Sequence, residues 1–506
     1  MITSLATTTD TLAFSSKYPG ILYNKLGKTD LTVSAAGFGG YRIDFRVKEH
    51  YESLEYALTS GINLIDTSAN YADGGSEVLI GKVIEDMIAS GKIKREEVVI
   101  VTKGGYIQGK NFELAKKLKE DGHGYKEIVE YNDKLWHCIH PDFLKDQITF
   151  SLQKMNVQRV DAYLLHNPEY FLDSPVSVEL SLDELRHEYY VRIKRAFEYL
   201  ETEVEKGRIG CYGISSNSFV YTEEDKTFTS LEKCIEAANE IKPDNNFKVI
   251  QFPLNLYEKA AVTEKNQKAE TKTLLQLAKQ SGMGTIVNRP LNAITTKTLR
   301  RLADFEYNSE YLKLDETQVI AEISLLESME DDFIEENLPA LQLSDEDNEM
   351  INYSMKAGQL LKENWKNFGS IESFNDLKKQ FLIPRANQAF VKMLTSGNVT
   401  EEMKDKLDKI ARQVNKLIAI IETIYGVKAN NISKRLHKEL NELMDDNDSF
   451  KSLKLSQKAL LMIKSLDGIS CTLVGMRQNK YVDDVISCLK LPAIENVVDK
   501  WERLVV

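Results

Sequence analysis

Eight short runs, each nearly continuous in apolar residues, recur along this chain with an amphipathic stretch between most of them. They are VSAAGFGGY (33–41), INLIDTS (62–68), EVVIVTKGG (97–105), VDAYLLHN (160–167), IGCYGISSN (209–217), KVIQFPLN (248–255), GTIVNRPL (284–291) and SCTLVGMR (470–477). Runs of this kind are what strands buried on both faces require. The stretches VKEHYESLEYALTSG (47–61), SEVLIGKVIEDMIASG (76–91), HPDFLKDQITFSLQKMNV (140–157), YYVRIKRAFEYLETEVEKG (189–207), TSLEKCIEAANEI (229–241) and KTLLQLAKQSG (272–282) carry helical periodicity. Several close on glycine, which suits a helix C-cap. No hairpin signal joins successive strands, so the order implies parallel pairing through helical crossovers. Eight β-then-α units predict an α/β fold closed as a TIM barrel. An open doubly wound sheet is the alternative, but it usually carries GxGxxG after its first strand. Here the first strand ends in GFGGYR, which lacks the last glycine and does not run straight into a helix.

The rhythm breaks once. The seventh run ends near Leu291 and the eighth starts at Ser470, preceded by the helical LSQKALLMIKSLDG (455–468). Residues 293–454 are too many for a loop and predict an inserted, mainly helical subdomain. LDKIARQVNKLIAIIETIY (407–425) places apolar residues at 407, 410, 414, 417, 421 and 424, a near-heptad stripe. VIAEISLLESMEDDFIEENL (319–338) also reads as a helix, with acidic surroundings that suit a solvated face. The expected organisation is a flexible arm over 1–20, a barrel with strands one to seven over 21–292, the helical insertion over 293–454, and completion of the barrel by strand eight and a C-terminal helix over 455–506. Smaller insertions follow the third strand (106–139) and the fourth (168–187). The opening MITSLATTTDTLAFSSKYPG has neither the basic nor the apolar region of a signal peptide.

A net charge of −12 over 506 residues argues against nucleic acid as a partner, because phosphate binding needs a basic surface. A local basic pocket for an anionic small molecule remains compatible with it. No apolar run approaches the ~18 residues that span a bilayer, so no membrane partner is expected. The five cysteines, Cys138, Cys211, Cys234, Cys471 and Cys488, show no paired spacing and read as reduced thiols. A cytoplasmic location is the expectation, with no metal site. The oligomeric state is not legible.

In a TIM barrel, function gathers at the C-terminal ends of the strands. The second run ends at Asp66 with Tyr71 on the following loop, the third ends at Lys103, and the fourth at His166. Each alone has a plain structural explanation: a turn cap, a surface phenol, a solvated ammonium, a satisfied core histidine. Together, at the ends of three consecutive strands, they predict a site. A phenol is a poor acid at neutral pH, and a nearby ammonium is expected to lower its pKa and make Tyr71 a general acid. Asp66 supplies the counter-charge for Lys103, and His166 orients a carbonyl oxygen by donating to it. Protonating that oxygen while hydride reaches the carbon is carbonyl reduction. Since no side chain delivers hydride, a nicotinamide cofactor is implied.

The motifs GFGGYR, NLIDTSANY, VIVTKGG, YLLHNPE, YGISSNSF, VIQFPLN, NRPLNA and TLVGMRQNKYVDD occur in that order over 21–292 and 455–490. In them the sequence resembles the aldo-keto reductase superfamily. The resemblance implies a TIM barrel that binds NAD(P)H without a Rossmann domain, and a tetrad of Asp66, Tyr71, Lys103 and His166. It places Gly40 and Tyr41 beside the nicotinamide ribose, with Asp66 also near the cofactor. Ser215 and Gln251 match the residues that hold the carboxamide, with either Ser216 or Asn217 as a further ligand. Where many members carry a tyrosine that stacks on the nicotinamide, this chain has Asn288-Arg289, and Arg289 is expected to pair with the pyrophosphate. Gly475-Met476-Arg477 resembles the adenosine-phosphate loop. Arg477 suits a 2′-phosphate, Tyr481 stands where many NADPH-selective members have arginine, and Asp484 matches an acidic residue that contacts adenine. NADP(H) is therefore expected slightly ahead of NAD(H). The implied function is an oxidoreductase acting on an aldehyde, ketone or sugar alcohol, with a small-molecule carbonyl or sugar substrate. The alternative is a cofactor-binding adaptor or sensor with little turnover, using the helical insertion for protein interaction. Between these lies an insertion that acts as a lid, or one whose stripe forms an oligomer interface.

Overall fold

The structure is a computed structural model that describes residues 2–178, 180–294, 299–305, 307, 309–396, 398–444 and 448–505. Two compact units emerge, one of Met1–Leu291 with Ser456–Val506 and one of Asn292–Leu455. In the first, eight strands close into a parallel barrel in chain order. They are β1 (Ala36–Gly39), β2 (Leu64–Asp66), β3 (Val99–Gly104), β4 (Val160–His166), β5 (Ile209–Ser215), β6 (Phe247–Pro253), β7 (Gly284–Asn288) and β8 (Cys471–Val474). The main crossover helices are α1 (Lys48–Thr59), α2 (Gly75–Ala89), α3 (Pro141–Lys154), α4 (Leu182–Glu205), α5 (Leu231–Ile241), α6 (Leu274–Gln280) and α7 (Leu455–Lys464), and α8 (Asn479–Leu489) follows β8. The TIM barrel is thus the observed fold.

The barrel interior explains how the site is positioned. Leu64, Val99, Val101, Ala162, Leu164, Cys211, Val249, Ile286, Cys471 and Leu473 form one buried cluster. Side chains on a strand alternate between faces, so each inward series continues two residues later. Leu64 leads to Asp66, Val101 to Lys103, Leu164 to His166 and Val249 to Gln251. The strands therefore run from an apolar floor to a polar mouth. Register completes the arrangement: Ser215 pairs with His166 on one side and Gln251 on the other. At Gly213 this packing leaves no room for a side chain, since a Cβ there would lie 1.9 Å from the Val249 carbonyl oxygen.

The opposite end is closed by an antiparallel pair, Tyr23–Lys25 with Thr32–Ser34. Leu26 and Val33 belong to the barrel cluster. The N-terminal stretch differs from the flexible arm expected over 1–20, of which residue 1 lies outside the described residues. Thr8–Ser16 is a helix whose Thr7 cap accepts from the Asp10 N–H, and Phe14 and Thr11 are buried. The Ala6 N–H donates to Asp161 Oδ1 at 2.6 Å, and the Thr32 N–H to Thr11 Oγ1 at 3.1 Å. A threonine cap and one buried aromatic dock a stretch whose composition reads as polar.

The second unit is mainly helical, with Glu316–Glu336, Asp345–Ser354, Ala357–Asn364, Ile371–Leu377, Ile383–Thr395 and the long Glu401–Leu443. Its own cluster joins Val319, Ile323, Leu326 and Phe333 to Leu407, Ile410, Leu417 and Ile421. The near-heptad stripe is therefore spent on the unit's own core. Glu330 reaches across to cap Ala357–Asn364, accepting from the N–H groups of Ala357 (3.1 Å) and Gly358 (2.9 Å). No described helix is long and apolar enough to cross a membrane.

Candidate active site

Four side chains expected to act together meet at the C-terminal mouth of the barrel. Lys103, fully buried at the end of β3, donates from Nζ to Asp66 Oδ2 (2.7 Å), to the Thr67 carbonyl (2.8 Å) and to the Tyr71 hydroxyl (3.3 Å). Its ammonium also lies 4.9 Å from the Tyr71 ring centroid. Asp66 uses its other oxygen to accept from Gln251 Nε2 (2.8 Å), and Gln251 Oε1 accepts from Ser215 Oγ (3.0 Å). The His166 ring stands edge-on to Tyr71 with centroids 6.0 Å apart. Tyr71 begins a short turn on which Ala72 and Asp73 both take positive φ. That kink carries the chain from the strand into α2.

Burial governs the electrostatics. It pushes the Asp66 carboxyl up and the Lys103 ammonium down, and each is opposed by the charge of the other. The 2.7 Å contact is the geometry of a charge-assisted pair. The Tyr71 phenol lies well above its ordinary value, through burial first and then the charge of Asp66 and the neighbouring Tyr41. The lowering expected from Lys103 is therefore not found: burial sets the direction. His166 is pushed well below its ordinary value by burial, with Lys103 and His137 adding to it.

Other expected residues are placed unequally. Gly40 is at the cluster: its N–H donates to the Asp66 carbonyl (2.8 Å), and a Cβ would lie 2.7 Å from that oxygen. Tyr41 is exposed, its ring 5.1 Å from that of Tyr71. Ser216 turns its hydroxyl inward to Ser218 Oγ (3.1 Å) and Thr229 Oγ1 (3.4 Å). The side chain of Asn217 makes no hydrogen bond among the described residues, while its N–H donates to Glu169 Oε1 (2.9 Å). Arg289 is held by Glu258 (2.6 Å) rather than standing ready for a pyrophosphate; the β6–α6 connection brings in that carboxylate. Gly475 and Arg477 lie on the turn after β8, and Tyr481 and Asp484 on α8, none of them within the hydrogen-bonded cluster. Arg477 is close enough to His50 to help lower its pKa, after burial.

Several further residues at the mouth were not among those expected to form the site. Ser68 Oγ lies 3.0 Å from His166 Nδ1. His137 donates from Nε2 to the His166 carbonyl (2.7 Å), and burial holds it neutral, its pKa down to about 4. Tyr106 packs edge-on to His166 with centroids 4.6 Å apart and accepts from Asn167 Nδ2 (2.6 Å). Glu169 is buried with Oε2 unpartnered among the described residues, and burial lifts its pKa to about 7. Ser68 and Glu169 lie inside the motifs NLIDTSANY and YLLHNPE, which could have pointed to them, whereas Tyr106 and His137 lie in none of the quoted motifs.

The chain is similar to known proteins over part or most of its length. The sequence model described as "Aldo/keto reductase family" matches residues 35–505. The chain is 28% identical over 178 residues to the NADH-specific methylglyoxal reductase of Escherichia coli (strain K12), covering 33% of this chain and 49% of that protein. It is 26% identical over 192 residues to a Bacillus subtilis (strain 168) protein named uncharacterized oxidoreductase YqkF, covering 38% and 48%. The chain thus spans about half the length of the curated relatives it matches. Among solved structures it is similar to the aldo-keto reductase AKR11C1 from Bacillus halodurans (holo form), with a TM-score of 0.45, 13% identity and 96% of each chain covered. It is also similar to an aldo/keto reductase from Klebsiella pneumoniae in complex with NADP and acetate, with a TM-score of 0.40, 13% identity, and 95% and 94% covered.

Proposed function

Because this chain belongs to the aldo/keto reductase family, we propose that it is an NAD(P)H-dependent oxidoreductase. It reduces an aldehyde or ketone, or oxidises the matching alcohol or sugar, with Tyr71 as the general acid. The observation that carries this reading is the bonded set Asp66–Lys103–Tyr71 beside His166 at the barrel mouth.

The residues around the mouth fit the cofactor. Asn288 Oδ1, at the end of β7, is buried and unpartnered among the described residues. Such a group is what an amide-bearing ligand would satisfy. Ser215, Gln251 and Asn217 would hold the carboxamide, with the Ser216 hydroxyl engaged elsewhere, and Gly40 and Tyr41 would face the ribose. Arg289 would reach a pyrophosphate by leaving Glu258. Gly475, Arg477, Tyr481 and Asp484 would take the adenosine end. Arg477 is the reason to place NADP(H) slightly ahead, whereas the E. coli relative is named NADH-specific. A bound nicotinamide would supply the hydride.

The remaining chemistry belongs to this chain. A phenol lifted well above its ordinary pKa keeps its proton until negative charge develops on the substrate oxygen. As Tyr71 gives that proton up, Lys103 Nζ, 3.3 Å away, stabilises the phenolate. Asp66 keeps Lys103 charged at that moment, and His166 orients the oxygen. The substrate is a small carbonyl compound, and methylglyoxal, named for the E. coli relative, is the first to try.

The test is fluorescence titration with NADPH and NADH, followed by turnover of methylglyoxal, 4-nitrobenzaldehyde and sugar aldehydes. Binding of a reduced cofactor with turnover of at least one carbonyl is expected. Binding with no turnover across the panel would favour a sensor or adaptor, and failure to bind either cofactor would overturn the reading.

A further inference from the structure

A hydrogen-bond chain leads away from His166 that the chemistry above does not use. His166 Nδ1 lies 3.0 Å from Ser68 Oγ, Ser68 Oγ lies 2.7 Å from Asn70 Oδ1, and Asn70 Nδ2 lies 3.1 Å from Gln108 Oε1. His166 Nε2 bonds to nothing among the described residues. The imidazole is buried beside the Lys103 ammonium, so it is neutral and carries one proton on one of its two nitrogens.

A serine hydroxyl has one proton to give. When Ser68 gives it to Asn70 Oδ1, His166 Nδ1 must be the donor to Ser68 Oγ, and Nε2 is left as a bare lone pair. When Ser68 gives it to Nδ1, Nε2 carries the proton and can donate to a carbonyl oxygen. The second sense needs Asn70 to turn its NH2 toward Ser68 and its oxygen toward Gln108. A half-turn of each amide achieves this at the same positions. The Lys103 carbonyl, 3.3 Å from Ser68 Oγ, is a second acceptor that favours the first sense.

We propose that Ser68, directed by Asn70 and Gln108, sets which nitrogen of His166 is protonated. In the free protein the chain holds the Nδ1–H form, and donation to substrate requires the chain to reverse. Reversal moves one proton off Nδ1 to water and one from water onto Nε2, and it rotates two amides. No net proton or electron is gained. Ser68 and Asn70 are positioning residues in this scheme. Its catalytic consequence rests on the oxidoreductase reading; the tautomer itself does not.

The test uses the full chain labelled with 15N in its imidazoles. Long-range proton–nitrogen correlation distinguishes the two neutral tautomers, and His166→Asn assigns the signals. The Nδ1–H pattern is expected for the wild type and for Asn70→Asp, whose carboxylate only accepts. Ser68→Ala, with no acceptor for Nδ1–H, is expected to show Nε2–H. A wild type already in the Nε2–H form, or no change in Ser68→Ala, would overturn the proposal. In turnover, Asn70→Asp is expected to lower kcat at least about ten-fold more than Ser68→Ala, and the double variant to return to the Ser68→Ala level. Damage to packing would accumulate in the double variant instead, and that result would contradict the relay. If the tautomer pattern appears but no carbonyl turns over, the oxidoreductase reading fails and the relay stands.

Discussion

Asp66, Lys103 and His166 were legible because each stands two residues beyond an apolar position on its strand, so the strand pattern aimed them into one mouth. The partners that tune them were not. Ser68 meets a histidine 98 positions away, and Arg289 meets Glu258 across a connection whose path no periodicity shows. The direction of the Tyr71 shift was hidden for the same reason, since burial belongs to the assembled barrel. Glu169 carries a prediction at this scale. Its carboxyl is lifted to about 7 by burial, with its Oε1 held by the Asn217 N–H. Tyr106, Tyr189 and Tyr221 all feel its charge. Between the ordinary carboxyl range and about 7 the folded protein binds more protons at Glu169 than the unfolded chain does, so stability falls as pH rises through that window. The loss is about 3 kcal/mol if the whole shift is expressed. Melting of Glu169→Gln against wild type should show little difference at pH 5 and a relative gain for the variant at pH 8. A difference independent of pH would assign Glu169 no such role.

At the scale of elements, the eight strands and their crossovers could be read from apolar runs and glycine stops, whereas the closure of the barrel floor could not. Thr8–Ser16 docks through a cap and one phenylalanine, signals too sparse to distinguish it from a loose arm. The floor is also tied by Asp161, at the start of β4. It accepts from Arg95 NH2 (2.8 Å), the Ile100 N–H (2.7 Å) and the Ala6 N–H (2.6 Å). Both Asp161 and Arg95 are buried. Asp161→Ala would leave a buried guanidinium unpaired, and a loss of about 3–5 kcal/mol is expected in urea unfolding. A loss below about 1 kcal/mol would show that the guanidinium finds water.

At the scale of the whole molecule, the insertion was visible as a length the barrel does not need, and its helices as an apolar stripe. What the stripe packs against was not visible, because a heptad serves a coiled coil and an internal core equally well. The structure gives it to the second unit's own cluster. The barrel likewise has its own cluster. Replacing 296–452 with a short linker should therefore leave a folded barrel that still binds reduced cofactor within a few-fold of the full chain. Loss of binding by the shortened protein would show that the insertion is part of the site.

The central claim is that Tyr71, backed by Lys103 and Asp66, hands a proton to a carbonyl. The most direct measurement is turnover of reduced cofactor by wild type and Tyr71→Phe with the same carbonyl substrate, alongside cofactor affinity for both. The account predicts that Tyr71→Phe binds cofactor as wild type does and loses at least about a hundred-fold in kcat. A variant that binds cofactor and turns over at the wild-type rate would contradict it.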